Sequence, residues 1–158
     1  MARTERADHG SGHSRCGGMI AVMASQSRHL SERIDRSADQ VYAYASDPAN
    51  LPQWAHGLGS AVEYVDGQWF VETSDARVGV AFAPPNDFGV LDHHVTLPTG
   101  ETVYVPMRVI PDGSACEVVF TLRRLPGVTD AEFDRDAGLV MADLARLRQA
   151  VESSAVPH

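Results

Sequence analysis

The chain has 158 residues, 44% of them hydrophobic and 22% charged, which suffices for one domain with a sizeable core. Its formal net charge is −8, and the acidity is uneven, with six Arg against four acids over residues 1–36 and seven Arg against seventeen acids in the remainder. That balance excludes the clustered basic surface on which binding to nucleic acid or to an anionic membrane depends.

The cationic side chains are all Arg, and Lys is absent. Schiff-base and pyridoxal-phosphate chemistry need an amine nucleophile, and a P-loop needs its Lys, so none of these is available. Cys16 and Cys116 are the only cysteines. They make neither a CxxC pair nor a zinc set nor a disulfide framework, and they fit a reducing, cytoplasmic setting. No run approaches the ~18 apolar residues of a transmembrane helix. The apolar run Met19 to Ala24 is shorter than a signal-peptide core. Stable membrane insertion is therefore not expected.

In chain order, residues 1–25 are rich in Gly, Ser, His and Arg and show no period. They predict a disordered tail, or a translation start at Met19 or Met23. His9 and His13 read there as solvated residues rather than metal ligands. Arg28 to Asp35 alternates and predicts a first strand. Ser37 with Gln40 three residues on forms a capping box for a helix whose apolar face is Val41, Tyr44 and Ala45. Asp47 caps a second short helix, with Pro48 in its first turn and Leu51 and Trp54 on its buried side.

From Ala61 to Arg123 the period changes from 3.6 to 2. Strands are predicted over 61–65, 68–74, 76–82, 89–97, 102–110 and 115–122, joined by short turns such as Asp66-Gly67 and Pro111-Asp112-Gly113. Alternation gives the sheet an apolar face with Val80, Phe82, Leu91, His93, Val95, Val103, Val105, Met107, Val109, Val118 and Phe120. The opposite, wet face receives Arg77, Asp92, His94, Tyr104, Arg108, Glu117, Thr121 and Arg123. Pro106 sits mid-strand, which suggests an edge or a bulge, and a bulge would turn Tyr104 inward.

After Pro126-Gly127, a capping box of Thr129 and Glu132 opens a long amphipathic helix to Glu152. Phe133, Ala137, Val140, Met141, Leu144, Leu147 and Val151 line one face at spacings of three and four. Acids crowd its first turns and Arg146 and Arg148 its last, which suits the helix dipole. Gly138 lies mid-helix, where Gly costs ~1 kcal/mol relative to Ala, for close approach to the sheet, for ligand room, or simply tolerated.

The segment Ser37-Ala38-Asp39-Gln40-Val41-Tyr42, followed by Asp47-Pro48-Ala49-Asn50-Leu51-Pro52-Gln53-Trp54, resembles the SRPBCC superfamily. That group includes START lipid-transfer domains and polyketide cyclase/dehydrase-like proteins. The resemblance covers residues 28–152. It implies an α+β helix-grip fold, with a seven-stranded curved antiparallel sheet wrapped around a long C-terminal helix and two short helices after the first strand. The expected organisation is a tail over 1–25, an SRPBCC-like ligand-binding domain over 26–153 and a short tail over 154–158. The fold implies a deep apolar cavity between sheet and helix.

Within that cavity His93 is the sharpest candidate, because alternation puts an imidazole among Leu91 and Val95. It reads as a core histidine satisfied by a neighbour, or as a polar contact for a ligand or a proton carrier. Tyr104 would join it as acid/base partner only if turned inward. Trp54, Trp69, Phe82, Met107, Phe120 and Met141 are candidate ligand-contacting walls. His93 and His94 point to opposite faces and cannot easily share one metal, and there is no HExxH or His-x-His pair, so no metal is expected; no cofactor is expected either. The carboxylates Asp47, Glu72 and Asp92 read as solvated.

Three functions fit. The first is binding of a hydrophobic small molecule of lipid, polyketide or aromatic type. The second is a cofactor-independent cyclase or dehydratase using His93. The third is a regulatory or chaperone-like protein-binding module. A monomer or homodimer is expected in each case.

Overall fold

The computed structural model describes residues 26–56, 59 and 61–154. The expectations for residues 1–25, including Cys16, His9 and His13, and for residues 155–158 lie outside the described residues.

Strand β1 (Ser27–Ile34) leads to α1 (Ala38–Ala45), a 3-10 turn over Pro48–Asn50, and α2 (Leu51–Trp54). Both expected caps form. Ser37 and Gln40 close a capping box on α1, and the Asp47 side chain accepts from the Ala49 N–H at 3.0 Å. The strands β2 (Ala61–Val65), β3 (Gln68–Glu72), β4 (Arg77–Phe82) and β5 (His93–Thr96) follow. Asp66 and Gly67 both have positive φ, as the two-residue hairpin between β2 and β3 requires.

The expected strand over 102–110 is two strands, β6 (Thr102–Val105) and β7 (Met107–Asp112), before β8 (Ala115–Arg123). The expected seven-stranded sheet is therefore eight strands in two sheets, β1-β8-β7 and β2-β3-β4-β5-β6. Pro106 is the cause. It has no N–H to give to the ladder, so the regular strand pairing is interrupted there. Before it, β6 pairs with β5; after it, β7 pairs with β8. The two sheets remain tied at this point by Leu91 N–H to the Met107 carbonyl (2.9 Å) and Thr121 N–H to the Pro106 carbonyl (3.0 Å).

The long helix α3 (Asp130–Ser153) is capped by Thr129 and Glu132. Its Leu144, Leu147 and Val151 are buried in one cluster with Ile34, Val118 and the inner sheet residues, and Phe133 is buried under the Arg28 guanidinium, 4.4 Å from its ring centre. Polar contacts along one side hold it to β1 and the turn after it. Arg28 meets Asp134 and Arg148 meets Glu32, each at 2.6 Å, and Glu152 accepts from the Asp35 N–H at 3.0 Å. Each exposed pair contributes little to stability, but together they fix which flank of α3 faces β1. The other flank is left over β4, β5 and β6. No described helix is long and apolar enough to cross a membrane.

Candidate functional site

A cavity of about 230 Å³ lies under that second flank. The sheet contributes Val80 and Phe82 from β4, His93 and Val95 from β5, Val105 from β6 and Phe120 from β8. The α2 helix contributes Leu51 and Trp54, and α3 contributes Asp136, Leu139, Val140, Asp143 and Leu144. The local patterns explain the selection. Alternation sends every second strand residue to this face, and positions 136, 139, 140, 143 and 144 fall on one flank of a 3.6-residue helix.

His93 is 7% exposed, with its ring 5.1 Å from Phe82 and 6.4 Å from Phe120 between centroids. Its Nδ1 is 2.9 Å from the Leu91 carbonyl. A carbonyl only accepts, so Nδ1 carries the proton in this bond. Burial pulls His93 below its ordinary pKa, outweighing the opposing effect of the Leu91 hydrogen bond. The resident form is a neutral imidazole whose Nε2 holds the lone pair.

The Leu91 carbonyl is free for this role because the ladder is altered beside it. Opposed residues of a regular antiparallel pair can exchange both N–H···O bonds. Leu91 donates to Met107, but Met107 donates its own N–H to Asp92 Oδ1 at 3.0 Å. Two side chains thus take up what the ladder releases, Asp92 the donor and His93 the acceptor.

Asp92 corrects the expectation of a solvated carboxylate. It lies on the outer face as alternation requires, yet it is only 5% exposed. Arg108 binds it with Nε at 2.9 Å and Nη2 at 2.8 Å, and the Tyr104 hydroxyl donates to Oδ2. Such charge-assisted donors replace the lost water. The Arg108 guanidinium above all, with Tyr104 and the Met107 N–H, holds the carboxyl well below the usual carboxylate range against the opposing effect of burial.

Tyr104 does not turn inward. Register runs unbroken past Pro106, with His93 opposite Val105 and Val90 opposite Arg108. No bulge reverses the strand. Tyr104 is 42% exposed and sits against His94, 5.0 Å between ring centroids, on the face away from His93.

Of the other expected walls, Trp54, Phe82 and Phe120 line the cavity. Trp54 is buried, and its indole Nε1–H has no hydrogen-bond partner among the described residues. Trp69 packs on Tyr64 at 5.0 Å and lines a separate surface cleft with Tyr42 and Phe82. Met107 is wholly inside the core cluster and touches neither opening. Met141, 36% exposed, lies on the opposite flank of α3 from Asp136 and Asp143. Its place in the apolar stripe cannot show which flank the cavity takes.

Sequence reasoning passed over Asp136 and Asp143, reading the first as a dipole charge only. Their spacing to Val140 and Leu144 was the available signal. Asp143 accepts from Arg146 at 2.6 Å. Among the described residues no group of three or more His, Cys, Asp or Glu side chains is placed to hold a metal ion. Gly138 is exposed, and a Cβ there would meet nothing within 4 Å, so neither sheet approach nor ligand room explains it.

No family profile and no curated protein sequence matches the chain. Solved structures share its fold. An uncharacterized protein from Bacillus thuringiensis aligns with a TM-score of 0.65 at 15% identity, over 81% of this chain and 100% of its own. The Aha1 dimer from Colwellia psychrerythraea gives 0.65 at 12% identity, over 83% and 99%. The di-domain ARO/CYC BexL from the BE-7585A biosynthetic pathway gives 0.62 at 17% identity, over 84% of this chain and 48% of its own. This chain thus spans about half of BexL.

Proposed function

We propose that this chain, whose fold is the helix-grip fold of the SRPBCC superfamily, binds a hydrophobic small molecule between α3 and the sheet, with His93 as its polar contact. The observation that carries the reading is the cavity itself. About 230 Å³ of space is walled mainly by Val, Leu, Phe and Trp side chains, with one imidazole set among them. Few polar groups in an apolar concavity are what a small-molecule site needs. The setting proposed is cytoplasmic.

A cyclase- or dehydratase-like activity is the second reading. A neutral His93 with its Nε2 lone pair is a competent base, and BexL is described as an ARO/CYC. Tyr104 faces away from it, and Asp136 and Asp143 are the other ionisable side chains that line the same cavity.

Native mass spectrometry of protein purified without detergent, followed by denaturing extraction, tests the binding reading. A retained compound of a few hundred daltons, lost in a Val95→Phe variant that narrows the cavity, is the expected result. A compound retained equally by Val95→Phe would place the ligand elsewhere and overturn the reading. So would an apo mass that neither apolar aromatics nor long-chain alcohols shift.

A further inference from the structure

The polar character of this cavity is one-sided. His93 commits Nδ1–H to the Leu91 carbonyl, which leaves Nε2 as an acceptor. The carboxylates of Asp136 and Asp143 are acceptors as well, and no Arg is among the lining residues. Apart from that committed Nδ1–H, the one side-chain donor among the described lining residues is the buried Trp54 Nε1–H. A carboxylate-headed ligand would bring one more acceptor against the His93 Nε2 lone pair and the Asp136 carboxylate, and Arg146 is already paired with Asp143 at 2.6 Å, which is unfavourable in a cavity of low polarity.

The volume gives a scale for the ligand. An apolar cavity of about 150 Å³ accommodates one benzene ring in a well-studied protein. The 230 Å³ present here is about one and a half times that on the same measure and is not fully enclosed, so it admits at least one ring.

We infer that the ligand is an uncharged, mainly apolar molecule that meets His93 as a hydrogen-bond donor, through a hydroxyl, and that Asp92 is a positioning residue that holds His93 ready for it from the outer face. The connection is geometric. Asp92 takes the Met107 N–H at 3.0 Å, which leaves the Leu91 carbonyl to His93 Nδ1 at 2.9 Å. Without Asp92 the Met107 N–H closes the ladder on Leu91 and competes with Nδ1–H for that carbonyl, which weakens the hold on the Nδ1 proton. This inference rests on the cavity being the binding site.

Calorimetric titration with 2-naphthol, 2-methoxynaphthalene and naphthalene tests it. One donated hydrogen bond is expected to make 2-naphthol bind about tenfold tighter than either analogue. The preference should fall to about unity in His93→Phe. Equal binding of all three compounds would overturn the hydroxyl assignment and leave apolar binding standing. No binding by any of them would count against the cavity reading itself, and the inference would fall with it.

The positioning claim is read separately, by long-range proton–nitrogen NMR of the His93 ring. The wild-type ring should show a protonated Nδ1 and an unprotonated Nε2. In Asp92→Ala the Nε2–H form should become populated, whereas Tyr104→Phe, which keeps the Met107 bond, should leave the ring as in the wild type. A wild-type ring protonated at Nε2 would overturn the inference. A ring unchanged in folded Asp92→Ala would overturn the role of Asp92.

Discussion

Met107 gives its backbone N–H to the side chain of Asp92 at 3.0 Å, although its own carbonyl accepts from Leu91 across the ladder. One exchanged hydrogen bond therefore joins a carboxylate on the outer face to an imidazole in the cavity. The exchange occurs where the chain can least keep a regular sheet. Register places Asp92 opposite Pro106, the residue at which β6 gives way to β7. The polar groups that the irregularity releases are buried, and buried backbone groups are almost always paired.

The Asp92 cluster should matter for stability out of proportion to its place on the outer face. Asp92→Ala removes acceptors from Arg108, Tyr104 and Met107 at once, and about 2 kcal/mol of stability should be lost. Tyr104→Phe removes one of these bonds at an exposed position and should cost clearly less. Urea unfolding measures both. A midpoint unchanged in Asp92→Ala would show that the cluster adds nothing net.

Acid should weaken the fold in two steps. His93 is depressed by burial, so the unfolded chain takes up a proton that the folded chain refuses. Its contribution is whole above the unfolded value of about 6.5 and is lost as pH falls below it. Asp92 is depressed chiefly by Arg108, and its contribution is whole above about 3.9 and lost below. Melting temperature followed from pH 8 to pH 3 should decline through both windows. His93→Phe should flatten the upper one and leave the lower intact.

The cavity wall can be separated from the core by two substitutions. Val95→Phe projects into the cavity and should abolish ligand uptake at a cost below about 1 kcal/mol, because empty space receives the ring. Trp69→Phe alters the outlying cleft, and its ligand affinity should match the wild type. Reduced affinity in Trp69→Phe would shift the site towards that cleft.

Gly138→Ala should stabilise the protein by about 0.5–1 kcal/mol, because an exposed helical position with open space gains from the added Cβ. Chemical denaturation reads the gain, and ligand binding should not change. A loss of stability would mean that Gly138 answers a packing demand.

Local pattern in the sequence determines much of this protein. Ser37 with Gln40 and Thr129 with Glu132 start their helices where expected, because each box closes within four residues. Alternation puts His93 beside Val95 on the inner face, because side-chain direction in a strand depends only on neighbours. The tertiary structure alone decided three other matters. Asp92 is buried because register brings it to Arg108 and Tyr104, and that alignment belongs to the paired strands rather than to either one. The Leu91 carbonyl reaches His93 because Met107, fifteen or sixteen positions along, turns its N–H to Asp92. Asp136 and Asp143 face the cavity and Met141 does not, because Arg28–Asp134 and Glu32–Arg148 set the roll of α3 on β1. A helical stripe specifies that a face is buried; the partners across the gap specify which flank of it borders the empty space.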